Sequence, residues 1–312
     1  MTEQPHHEDQ SGAQNRYGNL ENLDRGLAGI ALKPGLSVYL ITAFAVILAW
    51  LWLTLMVAQI SQSVEPGTVG PGMAYWDDLL SRLNIERSDN GFLAFVLKLC
   101  SPLSPNTFGF AEILSTFLMW LAMSLAMMLP SAAPMIRTYG DIADVAAAKG
   151  ERVVSLWVLV AGYLLVWTLF SVAMSLFQMA LIGAGLAADP VFPIQGILGA
   201  VILILAGVYQ FSALKDACLT KCRNPFSILF GRWSQKPGAI FRLGMEQGVF
   251  CLGCCWALML VMLVVGTMNL AWMAFFTLFA IIEKSGKGRV TSHVSGGILL
   301  AWGGILLVLA LI

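Results

Sequence analysis

Three cysteines fall within five residues of one long apolar stretch, in the segment CLGCC. Cys251, Cys254 and Cys255 are spaced i, i+3 and i+4, so on a helix their thiols share one face. Met259 and Met262 lie on or beside that face further along the chain. Thiolate and thioether sulfurs are soft ligands that favour Cu(I) among the common metals. The pattern predicts a copper-binding face, although a buried cysteine alone is usually an inert small hydrophobic residue.

A second sulfur-rich segment, FLMWLAMSLAMMLPSAAPM, lies earlier in the chain. Met119, Met123 and Met127 recur every four residues and form a stripe on one helical face, while Met128 points in another direction. Methionine fills gaps between packed helices, so the stripe alone predicts core packing. Counting residues from the outer helix ends places Met119, Met123 and Cys255 at similar depth. We hypothesise that the two helices pack together and share one sulfur-lined site.

A further cysteine pair, Cys218 and Cys222, is spaced i, i+4 where an apolar stretch gives way to a basic one. Lys215, Lys221 and Arg223 surround these thiols. The pair could take up or release a metal at the inner membrane face, form a redox couple, or be two incidental thiols. A stable disulfide is not expected in a reducing cytoplasm. Histidine is scarce, with three residues in the chain, which argues against a closed zinc site.

Helices in a membrane must position these residues. Of the 312 residues, 58% are hydrophobic and 12% are charged, and the mean hydropathy of +0.78 is typical of an integral membrane protein. The formal net charge of zero gives no indication of a nucleic-acid partner. A polar cytoplasmic tail, 1–35, precedes a single predicted all-α transmembrane domain, 36–312. Seven spans are predicted, at roughly 36–60, 111–135, 153–183, 192–214, 240–265, 268–283 and 292–312.

The basic residues set the predicted orientation. Fifteen of the 18 Lys and Arg residues fall in the tail and in loops on one side of the seven-span arrangement. Basic loops stay in the cytoplasm, so the N-terminus is predicted inside and the C-terminus outside. The segment 61–110 then becomes an external loop without a soluble domain. Pro130 and Pro134 are expected to kink or end the second helix.

Three acidic residues lie in or next to predicted spans, where ionisable groups usually face a bundle interior or an aqueous path. Glu112 lies at the outer mouth on the methionine face and could attract a cation. Glu246 is about 140° around the helix from Cys251 and faces elsewhere. Glu283 ends the sixth span beside Lys284 and is expected to reach the headgroups as a boundary residue.

Four ordered motifs, MWLAMSLAMMLPSAAPM, YQFSALKDACLTKCRNP, GMEQGVFCLGCCWALM and GTMNLAWM, resemble a bacterial family described as predicted metal-binding integral membrane proteins. The family is essentially a domain of unknown function, and the resemblance covers about residues 110–285. It implies a multi-pass protein of the bacterial inner membrane that binds a metal, copper in the first place. The implied ligand candidates are Met119, Met123, Met127, Met128, Cys218, Cys222, Cys251, Cys254 and Cys255.

Three functional classes follow from these patterns. The first is the binding, transfer or transport of Cu(I), with a protein that donates or accepts copper as a partner beside the lipid bilayer. The second is a membrane copper or thiol oxidoreductase that uses the three clustered cysteines. The third is an assembly subunit whose sulfurs only pack. Copper handling is favoured over catalysis because no thioredoxin-like soluble domain is present and histidine ligands are few.

Overall fold

The computed structural model describes residues 34–61, 70–73, 109–186, 194, 196–286 and 288–312. The tail through residue 33 and most of the predicted external loop lie outside the described residues. Within the described residues the secondary structure is helical, without a strand, which confirms the all-α prediction. The chain divides into two compact units, Met1–Thr42 and Ala43–Ile312, and every site residue discussed below lies in the second unit.

Each of the seven predicted segments contains at least one helix. Two segments are divided between two helices, which adds elements that the hydropathy pattern did not separate. The described helices are α1 (Pro34–Ser61), α2 (Phe110–Met128), α3 (Ala133–Ala148), α4 (Leu156–Gly183), α5 (Gly196–Gln210), α6 (Ala213–Arg223), α7 (Pro225–Gly231), α8 (Pro237–Val265), α9 (Leu270–Ser285) and α10 (Val290–Leu311).

Length and apolar composition qualify only some of these helices as membrane spans. Helices α1, α4, α8 and α10 are long and apolar enough to cross a membrane by themselves. Helices α2 and α3, and likewise α5 and α6, qualify only as bent pairs, with bends of 42° and 63°. Helix α9 has 16 residues, about 24 Å at the α-helical rise, which is shorter than a typical hydrocarbon core. The described residues thus contain four to six candidate spans, and the seven-span topology with its orientation stays a prediction.

The bend between α2 and α3 lies where two prolines interrupt the helix. Helix α2 ends at Met128, and a short 3-10 turn begins at Pro130. Pro134 then occupies the first turn of α3, where its missing backbone N–H is tolerated. The Ser131 hydroxyl donates to the Met128 carbonyl oxygen at 2.7 Å, which satisfies an acceptor at the end of the helix. The predicted proline kink is confirmed, and it places Met128 at the end of α2.

Helix α8 is the centre of the bundle and packs against α4, α5 and α6. Its contact with α4 depends on glycines. A Cβ atom at Gly244 would overlap the backbone of Leu159, and one at Gly162 would overlap the carbonyl of Phe241. Only glycine permits so close an approach of two helix backbones. The same helix carries the CLGCC segment, so the thiols lie in the interior of the bundle.

A buried ion pair joins α6 to α9. Lys215 Nζ lies 2.8 Å from Glu283 Oε1, and the two side chains are 0% and 2% exposed. The Ser292 hydroxyl of α10 donates to the same carboxylate oxygen at 2.7 Å, and Lys215 also donates to the Gln210 side chain. From the sequence, Glu283 was expected to be a boundary residue at the headgroups. In the structure it is buried instead. That expectation was wrong because a lysine from another helix supplies the partner that makes burial of the carboxylate tolerable.

The ion pair generates a stability prediction. Glu283→Gln leaves the Lys215 ammonium buried without its counter-charge, and breaking a buried pair in this way costs roughly 3 to 5 kcal/mol. We expect the variant to unfold at a clearly lower denaturant concentration or temperature in detergent. The double variant Lys215→Met with Glu283→Met should recover most of the loss, because neither charge then remains buried.

Arg137→Gln is the matched control for this experiment. Arg137 and Asp141 are 79% and 74% exposed and lie 4.0 Å apart, and an exposed pair of this kind contributes little to stability. Equal unfolding midpoints for Glu283→Gln and Arg137→Gln would contradict the structural role of the buried pair.

Candidate metal centre

Helix α6 brings its two cysteines against the middle of α8. Gly253 makes this possible, because a Cβ atom there would lie 2.5 Å from Cys218 Sγ. The Tyr209 hydroxyl, at the end of α5, donates to the carbonyl of the same glycine. One turn further along α6, Cys222 Sγ lies 4.0 Å from Cys254 Sγ. The pair spaced i, i+4 on α6 therefore faces the cysteine-rich segment of α8.

Cys255 makes a different sulfur contact. Its Sγ atom lies 3.5 Å from Met128 Sδ, and both residues are 1% exposed. The proline bend ends α2 at this position, so Met128 reaches α8 from the last turn of its helix. Successive residues of α8 thus contact sulfurs from two other helices, Cys254 with α6 and Cys255 with α2.

Cys251 contacts hydrogen-bonding groups of other elements. The Tyr163 hydroxyl lies 3.1 Å from its Sγ atom, and Lys284 Nζ donates to the same sulfur at 3.0 Å. Lys284 also donates to the Ser131 hydroxyl at 2.6 Å, and the Tyr163 hydroxyl lies 3.2 Å from the Met128 carbonyl oxygen. This network ties α4, α8 and α9 to the 3-10 turn between α2 and α3. It gives the thiol region a positive charge from Lys284.

The three cysteines of α8 are all buried. Cys254 Sγ and Cys255 Sγ lie 3.0 Å and 2.9 Å from the carbonyl oxygen of Cys251. Among the described residues, no three His, Cys, Asp or Glu side chains form a group that could hold a metal ion. The sulfurs are arranged instead as one thiol–thiol pair and one thiol–thioether pair.

The methionine stripe is buried, yet a different methionine reaches the thiols. Met119, Met123 and Met127 are 3%, 0% and 0% exposed. Within the described part of the chain, Met128 is the methionine whose sulfur contacts a clustered thiol, that of Cys255. The depth count had matched Cys255 with Met119 and Met123, which lie roughly 7 to 14 Å from Met128 along α2. The count assumed that the helices are parallel and end at one plane. It included neither the tilt of the helices nor the end of α2 at Met128.

Two residues of this region were not identified by sequence reasoning. Tyr163 is one aromatic residue among many in an apolar helix, and its spacing carries no chemical signal. Lys284 was counted as a loop charge, although an ionisable residue directly after an apolar helix was a usable signal. Glu246 behaves as predicted: it faces away from Cys251 and pairs with Arg232 and Arg242.

A half-open cavity of about 180 Å³ lies beside the thiols. Cys222 and Cys251 reach its wall, as do Lys284, Arg223 and Gln247. The cavity therefore gives small molecules access to one thiol of α6 and one of α8. The other lining residues are Ser131, Ala132, Pro134, Met135, Tyr163 and Ser285.

Comparison with known proteins gives one family. Residues 117–306 match the model of the PpoB2 family, which is described as a copper chaperone. The matched region covers more than half of the chain and includes all nine candidate ligands. No curated protein and no solved structure matched the chain.

The packing of α6 on α8 can be tested by crosslinking. A variant that keeps only Cys222 and Cys254 of the six cysteines should form an intramolecular disulfide under mild oxidation. Its sulfurs lie 4.0 Å apart, and rotation of the side chains brings them toward the roughly 2.05 Å of a disulfide. Intact mass spectrometry would detect the loss of two hydrogen atoms.

The control for crosslinking keeps only Cys218 and Cys255, one thiol from each of the same two helices. Cys255 contacts Met128 on another helix, so this variant should oxidise much more slowly. Equal rates in the two variants would contradict the observed register of α6 on α8.

Proposed function

The chain belongs to the PpoB2 family of copper chaperones, and from this premise we propose that it binds Cu(I) within its helical bundle and passes the ion to a partner protein. Copper is the cargo in this proposal and not a resident cofactor. The observation that carries it is the pairing of sulfurs by successive buried residues of α8, Cys254 with the half-buried Cys222 and Cys255 with the buried Met128. The four to six apolar helices support a membrane location.

The sulfur geometry suits an ion with few ligands. A thiolate sulfur lies about 2.3 Å from a bound first-row metal such as zinc, so sulfurs 4.0 Å apart, as in Cys222 and Cys254, would subtend an angle of about 120° at the ion. That angle leaves a third position open for an incoming or leaving ligand. Cu(I) prefers soft sulfur ligands and accepts such low coordination numbers.

The second pair offers a weaker position beside the first. Cys255 supplies one thiol and Met128 a neutral thioether, so the pair carries less negative charge than two thiolates. The ion could pass from Cys254 to Cys255 by exchanging one sulfur ligand for another, without leaving the buried region. Cys218 and Cys251 are proposed as accessory ligands at the first pair. Lys284, 3.0 Å from Cys251 Sγ, offsets part of the charge of a thiolate there.

The buried methionine stripe of α2 would extend the transfer route from Met128 toward the start of the helix at Phe110. Met119, Met123 and Met127 are proposed as successive thioether positions beyond Met128. Thioethers bind Cu(I) without adding charge to the interior of the bundle, so an ion moving along the stripe keeps its net charge low. A partner protein would donate or accept copper at one end of this route.

Metal content measured after anaerobic purification tests the proposal. We expect the detergent-solubilised protein, after Cu(I) is offered, to retain copper near stoichiometry by mass spectrometry. The double variant Cys222→Ala with Cys254→Ala should lose most of it, because both ligands of the first pair are removed. Met128→Leu should keep the first pair loaded and slow the release of copper to a competing chelator.

Cys100→Ala is the control, since this cysteine is outside the candidate set. It should retain the copper of the unchanged protein. A wild-type protein that takes up no Cu(I), or a double variant that keeps all of it, would overturn the proposed copper-binding role of these sulfurs.

A thiol oxidoreductase is the second candidate, favoured by the proximity of Cys222 to Cys254 beside an accessible cavity. It requires the two thiols to cycle with a disulfide, with a thiol or disulfide partner exchanging electrons and protons. Isolation of a copper-free protein whose Cys222–Cys254 disulfide turns over with a dithiol reductant would support this class over copper handling. An assembly subunit, in contrast, would keep its function when both cysteines are replaced.

A further inference from the structure

The cavity beside the thiols is lined by cationic groups and lacks a carboxylate. Arg223 and Lys284 line it, and its described lining contains neither Asp nor Glu. Glu283, the acidic neighbour of Lys284 in sequence, turns its carboxylate to Lys215 and Ser292. The charge of the cavity wall is therefore positive, which favours an anionic occupant.

One buried donor in the wall has no partner in the protein. Gln247 is 3% exposed and lines the cavity, and its Nε2 atom has no hydrogen-bond acceptor. A buried amide without a partner is costly, so such a group indicates a missing acceptor. This observation is independent of the charges, and both point to the same kind of ligand.

The two cations retain hydrogen-bonding capacity for that ligand. Lys284 uses two of its three N–H donors, on Ser131 and Cys251. Arg223 donates from three nitrogen atoms to the backbone carbonyls of Glu283 and Gly288, and a guanidinium has five N–H donors. These backbone contacts also fix Arg223 in place, so the unused donors are presented from a fixed position.

We propose that this cavity binds the carboxylate of a small thiol compound that carries Cu(I), with Gln247, Arg223 and Lys284 as its donors. The inference rests on the proposed copper handling, and it names the form in which the ion reaches the site. Cys222 and Cys251 line the same cavity, so a bound carboxylate would hold the carrier beside two thiols. The cavity, at about 180 Å³, is smaller than the pockets that hold drug-sized ligands, so it suits an amino-acid-sized thiol carboxylate or the corresponding end of a short peptide.

Transfer from such a carrier is a ligand exchange without a change of oxidation state. The bond between Cu(I) and the carrier sulfur breaks, and a bond between Cu(I) and Cys222 Sγ forms. The proton that leaves the Cys222 thiol goes to the departing carrier thiolate, so charge and atoms balance. Cys254, 4.0 Å from Cys222, then displaces a second carrier sulfur from Cu(I) in the same way, and its proton goes to that departing thiolate.

Binding of a copper-free probe tests the carboxylate site directly. (Methylthio)acetate keeps the carboxylate and blocks the sulfur, and (methylthio)acetamide replaces the carboxylate by a neutral amide. We expect saturation-transfer NMR on the full chain in nanodiscs to show binding of the acetate and not of the amide. S-methylglutathione is a third probe. Tighter binding of it than of (methylthio)acetate would indicate a peptide carrier, and weaker binding would indicate a small free thiol carboxylate.

Gln247→Leu is the decisive variant, because its amide nitrogen has no partner to lose and folding should not suffer. A hydrogen bond to a charged group is worth enough that its loss should weaken acetate binding about tenfold or more. Met135→Leu changes another lining side chain without removing a donor and should bind as the unchanged protein does. Equal binding of acetate and amide, or no binding of either, would overturn the carboxylate site.

Copper loading separates this inference from the proposed function. We expect Cu(I) to load faster from mercaptoacetate than from acetonitrile, and Gln247→Leu to lose this advantage. Loading from acetonitrile with no preference for mercaptoacetate would overturn the carrier while copper handling stands. Binding of the acetate probe with no copper uptake from either source would overturn copper handling and the carrier role, and leave only the carboxylate site.

Discussion

The ion pair between Lys215 and Glu283 determines where α6 lies, and the arrangement of sulfurs depends on that position. An unpaired charge in the interior of an apolar bundle is strongly unfavourable, so the lysine at the start of α6 must meet the carboxylate at the end of α9. This contact holds the start of α6 at the end of α9, and α6 packs along α8 from there. Cys218 then meets Gly253, and Cys222 meets Cys254 one turn later. The positions of the two cysteines of α6 beside α8 therefore depend in part on a buried ion pair.

The proline bend has the corresponding effect on the other side of α8. Without it, α2 would continue straight, and Met128 would be an interior residue of a longer helix. Because the helix ends there, the carbonyl of Met128 accepts hydrogen bonds from Ser131 and Tyr163, and its sulfur contacts Cys255. Lys284 bonds to Ser131 and to Cys251, so the bend and the thiol region are parts of one network.

Much of the fold could be predicted from the sequence, because helix periodicity and apolar length are local properties. The helical segments, the proline kink and the common burial of Cys251, Cys254 and Cys255 were all accessible in this way. The partners of these cysteines were not, since they depend on which helices pack together and in what register. Glu283 shows the same limit: the meaning of a charge at a helix end depends on whether another helix offers a partner, and sequence spacing does not contain that information.

Pairs of sulfurs, rather than one closed cluster, also fit the task of a chaperone better than that of a storage or structural site. A closed tetrahedral set of thiolates satisfies its metal completely and leaves no position for an acceptor ligand. Two sulfurs leave coordination positions open. The second pair, formed by Cys255 and Met128, offers the ion a neighbouring binding position. The proposed site therefore binds the ion less tightly than a closed cluster would, and in return a second ligand can bind and exchange; the half-open cavity beside Cys222 gives such a ligand access. Release then needs a competing sulfur ligand from the partner protein. Because the ion is bound by two sulfurs, the partner can replace these two bonds one after the other.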